Sequence, residues 1–129
     1  MPIRVTIEKD KGLIQTAASG RVTGDDLIDY YGRLRRHPDF RSNLNEIFDT
    51  TLVEAIDVTA DDIRRLSGVT EEFTKRGSPV KVAVVAPGDL PFGLSRMYEL
   101  LQSQSMNVLK VFRERAAAEA WMVEPAAES

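Results

Sequence analysis

The run PVKVAVVA at residues 79–86 restricts what this chain can fold into more than any other segment. After its proline, Lys81 is the only polar residue, and valine recurs on both alternating faces. Valine's stiff, branched side chain suits a pleated strand, and a strand apolar on both faces must be covered on both. Sheets of that kind have parallel neighbours, joined by crossover helices rather than hairpins. The flanks agree. Ile63, Leu66, Thr70 and Phe73 recur at helical spacing before the run, and Gly77 and Pro79 end that helix and launch the strand. Beyond it, Leu94, Met97, Tyr98 and Leu101 stand at i, i+3, i+4 and i+7, which gives a third helix one buried face.

The other segments complete the pattern. Ile3, Val5 and Ile7 alternate with Arg4, Thr6 and Glu8, the period of a strand with one wet face; KDKG supplies a turn and LIQTAAS a returning strand. Thr23, followed by Gly24, Asp25 and Asp26, marks a helix start, where a hydroxyl cap and two carboxylates meet free N–H groups and the positive dipole end. Leu27, Tyr30, Tyr31 and Leu34 form that helix's apolar stripe, and Pro38 stops it at about His37. NEIFDTT at 45–51 reads as a short third strand, and Thr59 with Asp61 and Asp62 repeats the cap. NVLKVF is a last strand, and RERAAAEAWM a closing helix that docks Ala117, Ala120 and Trp121. The order is β-β-α-β-α-β-α-β-α: an α/β fold with a mixed, mostly parallel sheet, an opening hairpin and four helices. Residues 1–123 read as a single domain and 124–129 as a flexible tail. Ligands on such sheets sit beyond the carboxyl ends of the strands, which selects loops at 50–58, 87–93 and 113–115.

Composition narrows the function. The chain has no cysteine, which excludes disulfides, thiolate metal sites and cysteine nucleophiles and fits a cytoplasmic protein. No stretch approaches the ~20 apolar residues of a membrane span, so no integral membrane segment is expected. A formal net charge of -3 gives no general attraction to nucleic acid. Acidic residues outnumber basic ones between positions 45 and 78, which implies a negative surface there. The single histidine, His37, ends a helix beside Arg33, Arg35 and Arg36 and reads as a cationic C-terminal residue rather than a base.

No catalytic motif is complete. HExxH, GxSxG and GxGxxG are all missing. Gly88 and Gly93 have the spacing of a Walker loop and Ser95 stands at its hydroxyl position, but Leu94 occupies the lysine position and Asp89 opposes an anion. The two glycines therefore read as turn residues, stiffened by Pro87 and Pro91. Asp49, Asp57, Asp61 and Asp62 gather around one loop, yet their spacing matches no calcium loop, and no metal or cofactor is expected. The expectation is binding, not catalysis.

SGRVTGDDL, HPDF, FDTT, VAPGDLPFGLSRMYELL and VFRERAAAEAWM together resemble the SpoIIAA-like proteins, small bacterial domains of the STAS/SEC14 type. The resemblance spans residues 3–122, and FGLSRMYE is its most specific piece. It implies a four- or five-stranded sheet with helices mainly on one side, and a regulatory or binding role. In the anti-sigma-factor antagonists of the STAS group, a serine at the start of the second helix is phosphorylated and switches binding to a kinase-like partner. Their Asp-Ser-Ser-Gly is matched here by Asp57-Val58-Thr59-Ala60, which puts Thr59 at the phosphoacceptor position but lacks the first serine and the glycine. The implied partner surface is Asp57, Thr59, Asp61, Asp62 and Arg65, facing an anti-sigma or kinase-like protein; a homodimer is a further implied assembly. In SEC14-type lipid carriers, an apolar cavity opens beside the sheet. The matching walls are Tyr30, Tyr31, Phe92, Gly93, Met97, Tyr98 and Trp121, with Arg96 or the start of the third helix meeting the head of a small acidic or lipid-like ligand. Five Phe, three Tyr and one Trp favour a filled core over a roomy pocket. The regulatory module is the first expectation and the ligand binder the second.

Overall fold

Gly12, at a φ of 61°, turns the chain after one 3-10 turn at Lys9–Lys11, so that β1 (Ile3–Glu8) and β2 (Leu13–Thr23) pair antiparallel with Val5 opposite Thr16. The computed structural model describes residues 2–74, 80–101 and 108–124. β3 (Asn45–Asp57), β4 (Lys81–Val85) and β5 (Val108–Phe112) then add in parallel, and the five strands lie in sequence order across the sheet. Four α-helices connect and close them: α1 (Gly24–Arg35), α2 (Ala60–Thr74), α3 (Asp89–Leu101) and α4 (Arg115–Met122).

Each crossover from β2 to β5 steps one place in the same direction. Right-handed connections therefore send α1, α2 and α3 to one face, and α4 folds onto the other. Strand alternation supplies both faces. Ile3, Ile14, Ala18, Val22, Phe48 and Val84 pack with Tyr30 and Leu34 under the three helices. Ile47, Ala83 and Val85 pack with Ala118 and Trp121 under α4. The valine run that appeared to need two covers has them.

Several boundaries differ from the sequence reading. β3 runs on to Asp57 instead of ending near Thr51, so residues 50–57 are strand and not loop. Past the pairing of Asp49 with Val85 it has only β2 as a neighbour, and two register shifts in that ladder bend the β2–β3 ribbon away. Thr50 marks the fork, its hydroxyl donating to the Val85 carbonyl at 2.8 Å. α3 begins at Asp89, which places Pro91 in the first turn, where its missing N–H would have had no helical partner. The Phe92 amide bonds the Gly88 carbonyl at 3.0 Å, so the supposed glycine loop is already helix. α1 stops at Arg35, Leu101 is 44% exposed and not on the buried face, and α4 buries Ala118 in place of Ala117 and Ala120. The Phe73 side chain, the helix stop at Gly77 and Pro79, and the tail from residue 125 lie outside the described residues. Among the described residues no helix is long and apolar enough to cross a membrane.

Candidate functional site

Short side chains on the sheet leave room beneath the helices. Ala18 on β2, Thr50 and Val53 on β3, and Val82 and Val84 on β4 reach less far than Leu or Phe would, and an apolar cavity of ≈ 70 Å³ remains between them and the helical layer. α1 closes it with Leu27 and Tyr31, α2 with Ile63 and Leu66, and α3 with Leu94 and Tyr98. Among the described residues no charged side chain lines it, and the hydroxyls there are those of Tyr31, Thr50, Ser95 and Tyr98. The space exceeds the roughly 10–15 Å³ that a water needs, but so apolar a wall lacks the hydrogen-bond partners that hold water in place. The expectation of a filled core is corrected: of the aromatic side chains Tyr31, Phe48 and Tyr98 line the space without filling it, and Phe112 and Trp121 pack on the opposite face.

Beside this cavity lies a group the sequence reading missed. Glu46, one residue into β3, is only 5% exposed and points to the same face as Phe48. Tyr30 Oη donates to its Oε2 at 2.8 Å, Tyr31 Oη to its Oε1 at 3.3 Å, and Thr16 Oγ1 lies 3.4 Å from Oε2. Among the described residues no lysine or arginine pairs with it. Burial raises the Glu46 pKa, and the three hydroxyls only partly offset that. Burial also pushes up the hydroxyls of Tyr30, Tyr31 and Tyr98. The signal for Glu46 was its register: two positions before Phe48 on a strand, it had to share Phe48's face.

Of the residues expected to form a ligand site, the structure brings Tyr31 and Tyr98 to the cavity and leaves the others elsewhere. A contiguous stretch of helix cannot face one way, and α3 turns Pro91, Leu94, Ser95 and Tyr98 inward. Phe92 packs at the core margin under the Arg113 guanidinium, 3.9 Å from its ring centre. Gly93 is exposed, Met97 is half-buried away from the cavity, and Arg96 is exposed and bound to Glu99 at 2.6 Å. Tyr30 belongs to the Glu46 cluster, and Trp121 lies on the opposite face.

The other expected site does assemble on the surface. Exposed Thr59 caps α2: its hydroxyl accepts from the Asp62 amide at 3.1 Å, and its own amide donates to Asp62 Oδ2 at 3.0 Å. That backbone bond, more than the nearby Arg65, holds the Asp62 carboxyl below the usual range. Asp57 pairs with Arg21 at 2.9 Å, Asp61 with Arg64 at 3.9 Å, and Arg65 bridges Asp62 at 3.2 Å and Asp25 at 3.5 Å. These pairs offset much of the expected negative charge. The start of α1 abuts the same place, since a methyl group on Gly24 would collide with the Asp62 side chain.

Asp49 does not join the other three acids. It points to the α4 face, where burial would raise its pKa but Thr51 and Arg115 outweigh that and hold it low. Among the described residues no group of acids or histidine is placed to hold a metal ion. His37 lies two residues beyond the end of α1, and its Nδ1 accepts from the Asp39 amide at 3.0 Å.

No protein-family model and no functionally curated protein matches the sequence. Among solved structures, the chain is similar to an uncharacterized protein of the DUF3478 family from Shewanella loihica PV-4, described as having a SpoIIAA-like fold. The two superpose with a TM-score of 0.60 over 93% of each chain at 16% sequence identity. At that identity the likeness speaks for the fold alone. Together with the antiparallel opening, the parallel remainder and the three helices on one face, it establishes that this chain has a SpoIIAA-like fold.

Proposed function

We propose that this chain is a binding domain without catalytic chemistry of its own, and that it holds a small apolar or lipid-like molecule between the sheet and α1–α3. The cavity carries this reading. The lining of this half-open space of ≈ 70 Å³ is apolar, and an occupant takes it out of contact with water and gives its atoms dispersion partners. Space of this size takes a short length of apolar chain or the leading edge of a ring. Its far wall is Val53, Ile56 and Val58, the part of β3 and its exit that has parted from β4. The anchor first expected for an acidic head, Arg96, is engaged with Glu99. The reading rests on the walls.

Native mass spectrometry of freshly purified protein tests it, with an added mass that disappears on denaturation as the expected result. No added mass, combined with no thermal shift from a panel of small aromatic and short-chain apolar compounds, would sink it.

A second reading, a regulatory protein-interaction module, is favoured by one observation: Thr59 is exposed at the capped start of α2, with acids on either side. A phosphate there would stand close to Asp57, Asp61 and Asp62 and add like charge, which weakens the cap and changes what the surface can bind. An anti-sigma or kinase-like protein is the partner class that the fold resemblance brings. Pull-downs with Thr59→Glu and Thr59→Val decide it: different partners are expected, and identical sets remove the switch.

A further inference from the structure

We infer that Glu46 selects the charge of the cavity's occupant, so that uncharged apolar molecules are admitted and carboxylates rejected. This rests on the cavity being a ligand site. Tyr31 forms part of the wall, and its hydroxyl lies 3.3 Å from Glu46, so the carboxyl stands directly behind the lining.

Following the protons shows what the wall offers. Tyr31 gives its proton to Glu46. Thr70 Oγ1 stands 3.1 Å from the Leu66 carbonyl and 2.5 Å from Tyr98 Oη, a contact in which either hydroxyl can donate. Thr50 donates to the Val85 carbonyl. Of the four lining hydroxyls among the described residues, Tyr31 and Thr50 thus send their protons away from the cavity, and what they turn toward an occupant is ring face or lone pair. Ser95 and Tyr98 remain, neutral hydroxyls against the several kcal/mol that desolvating a carboxylate costs.

Charge points the same way. The groups facing Glu46 are Tyr30 and Tyr31 from α1, Thr16 from β2 and, through its field, Tyr98 from α3; none is a cation. Arg33 is felt at Tyr30 but is ion-paired to Asp29 at 3.1 Å. Ionised, Glu46 repels a second negative charge; protonated, it has nothing with which to neutralise one.

Benzyl alcohol and benzoate, one ring with a neutral or an anionic substituent, are the probes. They are titrated into the full chain at about pH 7.5 while methyl NMR signals of Val22 and Leu94 report on the cavity wall. In the wild type, benzoate is expected to bind at least about tenfold more weakly, and Glu46→Gln to narrow that ratio about threefold. Equal wild-type affinities overturn the inference and leave the cavity reading standing, a comparison that needs no variant to fold. A ratio unchanged in Glu46→Gln overturns the role given to Glu46. If neither probe moves those methyls, the cavity reading itself falls, and the inference with it.

Discussion

The two faces of the sheet are held by different means. Under α1–α3 the packing stops short, leaving an apolar space and a buried carboxyl with only hydroxyls for company. On the other face a single short helix is fastened at every side. The Trp121 ring meets Phe112 at 5.6 Å and has Lys81 Nζ at 5.1 Å and Lys110 Nζ at 5.3 Å from its centre. Lys81 also closes the end of α4 by donating to the carbonyls of Trp121 at 2.9 Å and Glu124 at 2.7 Å. At the start of α4, Arg115 reaches Asp49 at 3.1 Å and also bonds Gln15. The smaller cover is the tighter one.

The largest expected effect therefore falls far from the cavity. Trp121→Ala should cost about 3–5 kcal/mol in chemical denaturation, the range for removing a buried aromatic, while affinity for a cavity ligand stays within about twofold. A large loss of that affinity would show that the faces are coupled and break the comparison.

Glu46 gives the next effect, and it is confined to the helical face. Its folded pKa is raised above the ordinary 4.5 by burial. The native state therefore holds its proton more firmly than the unfolded chain, and the stability gained is complete below 4.5. It is lost as pH rises through the raised folded value. Wild-type stability should thus fall across that window, and Glu46→Gln should flatten the fall. A wild-type profile that rises over the same range would mean that the carboxyl is not buried as described.

Filling the space sharpens the contrast further. Ser95→Leu places a branched apolar side chain where a half-buried hydroxyl lines the cavity. It should raise stability by about 1–2 kcal/mol through added apolar burial and weaken ligand binding by at least about tenfold. Loss of stability instead would indicate that the space is too narrow for the added carbons.

How much of this was legible in the sequence follows from what each feature depends on. The two-faced strand at Lys81–Val85 and the caps at Thr23 and Thr59 are local chemistry, and the structure has them where the residues placed them. β3's second half was hidden because Thr50 and Thr51 look like a polar ending, although threonine is a good strand former and β2 still pairs with that half. The start of α3 was hidden by Gly88, Pro91 and Gly93, which read as a turn until Pro91 is seen to occupy a first-turn position that needs no N–H. A glutamate in a strand reads as the wet side, and only its register with Phe48 says otherwise. The cavity has no local signature, since it arises from the summed shortness of side chains on three strands facing three helices.

Thr59 carries the smallest of these effects and links the surface to the interior. Removing its hydroxyl in Thr59→Ala leaves the Asp62 amide without an acceptor and should cost about 1 kcal/mol, while Thr59→Ser should cost a few tenths at most. Asp62 should keep its lowered pKa in part, because the first cause is the Thr59 backbone amide, which both variants retain. Its contribution is thus present above 3.8 and lost as pH falls through the lowered value. The neighbour Val58 and the first-turn Ile63 both line the cavity. Fraying of this end in Thr59→Ala should therefore also loosen one wall and weaken cavity binding slightly, by less than about threefold. A cap variant that lowers stability yet leaves cavity binding untouched would show that the α2 start is a surface feature alone, and would assign it to partner recognition.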